Sequence, residues 1–340
     1  MIPHLMIPHL MDPQLLMGVG SASPMYVQLR PPSSDLYTPG SHLWLGCVSC
    51  EEKPCQVACP ADCSPADFIL AARVGAKSDF RRSAALILGA NPLGGVCGAV
   101  CPDTFCMQAC ARRTFDRPIE IPAVQAAIVA EAKKFGLSRF AAAAANGKKI
   151  AIVGAGPAGL GAASVLAQRG CAVTIFEKRK RPGGMMNLIP RFRLNQRIPR
   201  TDIAFIQGLG AIDFKLGATV TRPESLLGQF DAVIVCAGRD QPVRLGIPGE
   251  EHVLAWPVFL ESQKTIDVAG KRVAVLGGGA VAVDCATTAK RRGATAVDLI
   301  YRRKQEHMPL TAYERRMLLA HGIEIAGCVR PIALVHAGRR

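Results

Sequence analysis

One short pattern, written twice, constrains this chain more than any other feature. An apolar strand, Lys149-Ile-Ala-Ile-Val153, runs into Gly154-Ala-Gly156-Pro-Ala-Gly159, then a helix over residues 158–169, Gly170, and a second strand over 172–176. The order recurs about 120 residues later as Arg272-Val-Ala-Val-Leu276, Gly277-Gly-Gly279-Ala-Val-Ala282, a helix, and a strand over 297–301. Strands alternating with helices in this way predict an α/β fold with parallel sheets and two Rossmann-like units. The glycines allow a tight turn and a close approach of pyrophosphate to backbone, and the following helix N-terminus favours the phosphate charge. In the first copy the second strand ends at Glu177, where a carboxylate accepts from a ribose hydroxyl. In the second copy it ends at Tyr301-Arg302-Arg303, with no carboxylate. Two guanidinium groups there suit a 2′-phosphate that a carboxylate would repel, which predicts NADPH in preference to NADH. The alternative reading is a solvated basic edge formed by Arg302, Arg303 and Lys304.

Cysteine placement is the second constraint. Of 13 cysteines, nine fall between Cys47 and Cys110. They form the runs Cys47-x2-Cys50-x4-Cys55-x3-Cys59-Pro60 and Cys97-x3-Cys101-Pro102-x3-Cys106-x3-Cys110, with Cys63 between them. The amino terminus repeats Met-Ile-Pro-His-Leu and shows no basic, small-residue-terminated export pattern. A cytoplasmic, reducing setting is therefore expected, in which clustered thiols bind metal more readily than they form disulfides. Thiols two to four residues apart, with Cys-Pro endings, predict two iron–sulfur clusters. Structural zinc is the alternative, although eight thiols in two runs exceed one zinc site.

Composition sets the outer limits. With 49% hydrophobic and 20% charged residues, the 340-residue chain is not disordered, and its length suggests at least two domains. No apolar run approaches the roughly 20 residues of a membrane helix, so no membrane association is expected. A net charge of +15 points to anionic partners, but 5% aromatic residues without aromatic–basic interleaving argue against nucleic acid. The chain divides into a Pro- and Ser-rich tail, 1–40, and a helical cysteine-rich segment, 41–138, with helices over 67–74, 80–88 and 123–135. An alanine-rich linker then leads to a first dinucleotide domain, 148–265, and a second, 266–340. His4, His9 and His42 lie in or beside the tail; none of the seven histidines is read as catalytic. Two dinucleotide units beside iron–sulfur ligands describe a relay from nicotinamide to flavin to one-electron carriers.

Further motifs appear in order: Cys47-Val-Ser-Cys50, Pro54-Cys55-Gln-x2-Cys59-Pro60, Asn91-Pro-Leu-Gly94, Cys97-Gly-x2-Cys101-Pro102 and Pro118-Ile-x5-Gln125. Beyond the first glycine-rich turn come Pro182-Gly-Gly184, Ile189-Pro-Arg-Phe-Arg-Leu194, Ile247-Pro-Gly-Glu250 and Met308-Pro309. With these, residues 45–327 resemble the amino-terminal half of dihydropyrimidine dehydrogenase and its bacterial flavin subunit, within the wider glutamate synthase small-subunit family. The resemblance implies a helical domain with two [4Fe-4S] clusters, followed by FAD- and NADPH-binding units. It implies crossed ligation: Cys47, Cys50, Cys55 and Cys110 on one cluster, and Cys59, Cys101, Cys106 and the Gln125 amide on the other. Cys63 and Cys97 become bystanders, although spacing alone nominates Cys97 as the eighth ligand. FAD is expected at Gly154, Gly156, Gly159, Glu177, Gly184 and Arg193, and NADPH at Gly277, Gly279, Arg302 and Arg303. A partner subunit is expected to receive the electrons, in a dihydropyrimidine dehydrogenase-like or a glutamate synthase-like enzyme.

Two departures accompany the resemblance. Ala280 stands where the family has Asp or Asn, near the implied nicotinamide–flavin contact. Family members also continue into a segment that returns to the FAD domain, whereas this chain ends at Arg340. A truncated scaffold that holds cofactors without turnover is thus the non-enzyme alternative.

Overall fold

A computed structural model describes residues 46–137, 140–239, 241–261 and 265–335. The tail reading for 1–40, and His4, His9 and His42, lie outside these described residues. The cysteine-rich region is helical: α1 (Pro54–Val57), α2 (Pro65–Ala71), α3 (Lys77–Ala90), α4 (Gly94–Val100) and α5 (Ile121–Lys134). Prolines open α1 and α2, where a missing N–H costs nothing. Asp79 starts α3 by accepting the Ala76 N–H at 3.1 Å. Phe68, Ile87, Val124 and Ile128 are fully buried at the centre of this bundle. The short helix α4 had no sequence expectation, because Gly94, Gly95 and Gly98 weaken any helical signal. Those glycines let it lie flat on α5: a Cβ at Gly98 would stand 2.6 Å from the Ala126 nitrogen.

Next come β1 (Lys149–Val153), α6 (Pro157–Gln168), β2 (Ala172–Glu177), α7 (Arg197–Gln207), β3 (Ile212–Leu216), β4 (Ala232–Val235) and α8 (Trp256–Glu261). The four strands form a parallel sheet in the order β3-β2-β1-β4. The second unit has β5 (Arg272–Leu276), α9 (Ala280–Arg291), β6 (Ala296–Tyr301), α10 (Ala312–Ala320) and β7 (Glu324–Gly327), with a parallel sheet ordered β5-β6-β7. Apolar strands such as Lys149–Val153 bury four consecutive residues, as parallel sheets covered on both faces require. The alanine-rich stretch read as a linker is pinned to the first unit. Ala143 N donates to Gln168 O at 2.8 Å, and Asn146 N to Gly170 O at 3.0 Å.

Among the described residues no single helix is long and apolar enough to cross a membrane. One bent pair, α3 with α4, passes by length and composition, but it turns by 89° and much of both helices packs inside the protein.

Candidate redox site

The cysteine-rich bundle gathers its thiols into two groups. Cys47, Cys50, Cys55 and Cys110 line one cavity, walled by Pro54, Pro65, Ile69, Ile119 and Ile121. Thiols supply every candidate ligand there, and the walls are apolar, a donor set suited to iron–sulfur chemistry. Burial, reinforced by the neighbouring Cys47 and Cys110, raises the Cys55 thiol above its ordinary value. The second group comprises Cys59, Cys101 and Cys106, with Cys63 and Cys97 beside them. Burial, helped by the nearby thiols, pushes Cys101 up to about 11 and Cys106 up to about 12. Cys63 is pushed up to about 12 for the same reason and is 2% exposed. Raised thiols of this kind deprotonate only when a cation is bound.

Gln125, on α5, is buried, and its Nε2 donates to the Gly94 carbonyl at 2.8 Å. That bond fixes the amide with its oxygen turned away from Gly94. Cys97 is the thiol that spacing nominates; it sits in α4, raised by burial and bonded by the Asn91 side chain. Among the described residues no three His, Cys, Asp or Glu side chains converge tightly enough to hold a single metal ion.

The first glycine-rich turn has the shape a dinucleotide needs. Gly154 has φ +110°, and a Cβ on it would collide with the Cys236 carbonyl oxygen. A Cβ on Gly159 would strike the Gly154 carbonyl oxygen, so α6 could not pack down onto β1. Glu177 is buried at the end of β2, and both its oxygens accept backbone N–H groups, from Ala155 at 2.9 Å and Arg179 at 2.8 Å. The Pro182–Gly184 loop folds back over the turn: Gly183 N donates to Ala155 O at 2.7 Å, and a Cβ on Gly184 would lie 2.8 Å from the Gly156 Cα. Glycines thus line both sides of a cradle that a flavin dinucleotide fits.

The guanidinium of Arg193, a residue expected at FAD, bridges Asp284 at 2.9 Å and Glu314 at 2.7 Å, in the second unit. Glu314 in turn accepts from Thr311 N at 2.9 Å, which fixes the start of α10. Sequence reasoning passed over Asp284 and Glu314, because their partner lies about a hundred residues away and no local spacing marks them.

The second turn is more open. Gly277 has φ +135°, and nothing stands within 4 Å of a Cβ on Gly279, which leaves room beside the N-terminus of α9. Tyr301 closes the floor, since a Cβ on Gly278 would strike its ring. Arg302 and Arg303 are exposed just beyond β6; Arg303 Nε donates to the Tyr301 hydroxyl at 3.0 Å. Ala280 is the first residue of α9.

Comparison with known proteins agrees with this geometry. The family described as "Pyridine nucleotide-disulphide oxidoreductase" matches residues 148–329, and "Dihydropyrimidine dehydrogenase domain II, 4Fe-4S cluster" matches residues 45–137. The chain is 34% identical to the NAD-dependent dihydropyrimidine dehydrogenase subunit PreT of Escherichia coli K12, over 85% of this chain and 71% of that protein. It is 31% identical to the glutamate synthase [NADPH] small chain of the same organism, covering 85% and 65%. It is 35% identical to the NADP(+)-dependent formate dehydrogenase subunit beta of Moorella thermoacetica, covering 83% of this chain but only 44% of that one. Among solved structures, the 6-hydroxypseudooxynicotine amine oxidase of Pseudomonas geniculata N1 shares the fold at 21% identity and TM-score 0.51, covering 83% and 40%. This chain therefore belongs to the pyridine nucleotide-disulphide oxidoreductase family, in a branch whose dinucleotide units follow a 4Fe-4S domain, and it is an oxidoreductase.

Proposed function

We propose that the chain is the electron-input subunit of a cytoplasmic enzyme, oxidising NADPH and passing electrons to a partner subunit, as in dihydropyrimidine dehydrogenase. The observation that carries this reading is the gathering of two separate thiol groups beside two dinucleotide cradles in one chain. When bound, a flavin splits the electron pair of a reduced nicotinamide into single electrons, which iron–sulfur clusters accept one at a time. Cys47, Cys50, Cys55 and Cys110 would hold one [4Fe-4S] cluster in their apolar pocket. Cys59, Cys101, Cys106 and the Gln125 amide oxygen would hold the other. Gly154, Gly156, Gly159 and Gly184 admit the FAD pyrophosphate to the backbone, and Glu177 accepts from the ribose. Gly277 and Gly279 do the same for the nicotinamide nucleotide, with Arg302 and Arg303 reaching the 2′-phosphate. Arg193 would contact FAD, and its ion pairs to Asp284 and Glu314 tie the second unit to that site.

The relatives named above use different nicotinamide nucleotides, so the choice of NADPH rests on Arg302 and Arg303. Losing one charge-assisted contact costs about 1.5–3 kcal/mol, roughly tenfold or more in affinity. In Arg302→Ala the ratio of kcat/KM for NADPH over NADH should fall by at least that factor; an unchanged ratio removes the assignment. The wider reading is tested by anaerobic reconstitution with iron, sulfide and FAD. Yellow-brown protein that reduces a dye with NADPH supports it, and colourless, iron-free protein refutes it. Loaded protein that lacks turnover would instead identify a cofactor-holding scaffold.

A further inference from the structure

Among the described residues Asp202 is the least exposed charged side chain, at 0%. It belongs to α7 of the first dinucleotide unit, yet its carboxylate reaches into the cysteine-rich bundle. One oxygen accepts the Val96 N–H at 2.8 Å, and the Gly95 N–H also bonds to the carboxylate. Lys133, from α5, supplies the countercharge at 2.6 Å and also bonds the Thr201 hydroxyl at 2.6 Å. Burying a carboxylate is costly unless it is paired and hydrogen-bonded, and here both conditions are met.

The contacts continue in an unbroken line. Gly95 and Val96 form the first turn of α4, beside Gly94, whose carbonyl accepts from Gln125 Nε2 at 2.8 Å. At the other end of α4, Cys101 N donates to Cys97 O at 2.8 Å, so the same short helix leads directly into Cys101. Gly95 leaves the room this needs, since a Cβ there would stand 2.7 Å from the Asp202 oxygen. Asp202 also acts electrostatically on the Cys97 thiol. A carboxylate of the flavin-side unit thereby holds the helix that orients Gln125 and carries Cys101.

We infer that Asp202 is a positioning residue for the second iron–sulfur centre: through α4 it sets the orientation of the Gln125 amide and the charge that the centre experiences. This rests on the reading that Gln125 and Cys101 are ligands of that centre. It follows that the flavin-side unit and the second centre are joined by a polar contact as well as by packing. In Asp202→Asn the shape is kept and the charge is lost, leaving Lys133 uncompensated. The second centre should then become easier to reduce, and its signal should change, while the first centre, in its separate pocket, stays as it was.

The test uses the full chain, reconstituted anaerobically with iron and sulfide, and reads iron content, the electron paramagnetic resonance spectrum of the reduced protein, and redox titrations. Wild-type protein that loads iron for only one cluster refutes both the two-cluster reading and this inference. If the wild type loads two, a positive shift in the potential of one cluster only, in loaded Asp202→Asn protein, is the expected result. A purely structural Asp202 would lower the melting temperature and leave both potentials and both signals unaltered, which overturns the inference. Gly95→Ala is the second variant, used if Asp202→Asn fails to fold. It crowds the same contact without removing a charge, and should alter the spectrum of that one cluster; identical wild-type and Gly95→Ala spectra would count equally against the inference.

Discussion

At the scale of the residue, Glu177 shows how one side chain serves the fold and the ligand together. Both oxygens already receive backbone N–H groups, from Ala155 and Arg179, and each keeps a lone pair for a ribose hydroxyl. Glu177→Gln replaces one acceptor with a donor that faces an N–H, costing about 1–3 kcal/mol. The variant should melt lower and keep roughly tenfold less FAD after gel filtration, as read from flavin absorbance. Glu177 was legible in the sequence because its distance from the glycine-rich turn is set by one βαβ unit, a local spacing. The ion pairs of Arg193 were not legible, for the opposite reason: its partners Asp284 and Glu314 are 91 and 121 residues away, and only the assembled fold brings them together.

At the scale of the element, helices whose glycines face a neighbour behave differently from those whose glycines face open space. In α4 an added methyl at Gly98 would meet the α5 backbone, 2.6 Å from the Ala126 nitrogen. Gly98→Ala should therefore cost about 1–3 kcal/mol by overpacking and part α4 from Gln125. In α6, Gly161 has nothing within 4 Å of the added methyl. Gly161→Ala should stabilise by about 0.5–1 kcal/mol through helix propensity alone. Thermal melts of the two variants would show opposite shifts, and a shared sign would contradict this account. The strongly periodic helices and the repeated strands were readable from the sequence to within a few residues. The helix α4 was not, since close packing against α5, a tertiary effect, selected residues that a helix propensity scale disfavours.

At the scale of the whole molecule, the ion pairs between units carry a pH signature. Burial pushes the Asp284 carboxyl up to about 6, against the attraction of Arg193 and with some help from Glu314. A carboxyl raised in the folded state contributes stability that is full below its ordinary pKa of 3.8 and is lost as pH rises toward 6. The charged groups acting on it are Arg193 and Glu314, with Tyr313 beside them and Arg291, on the helix that carries Asp284, acting on Tyr313. Asp284→Asn does not titrate, so the melting-temperature advantage of wild type over this variant should shrink between about pH 4 and pH 6. A difference that is flat with pH, or that grows, would refute the assignment. The contact is invisible to any reading of local sequence, whereas the α/β class and the cysteine-rich bundle follow from periodicity and spacing within single segments.

The N-terminus of α10 also meets the cysteine-rich region, where Ala312 N donates to the Asp103 carboxylate at 3.1 Å, two residues after Cys101. Asp103 and Arg193 thus grip the same helix from two different parts of the chain. A second unit that moved away from both the first unit and the cysteine-rich region would have to release both contacts. The second unit is thereby tied at one helix both to the first unit and to the segment that carries Cys101.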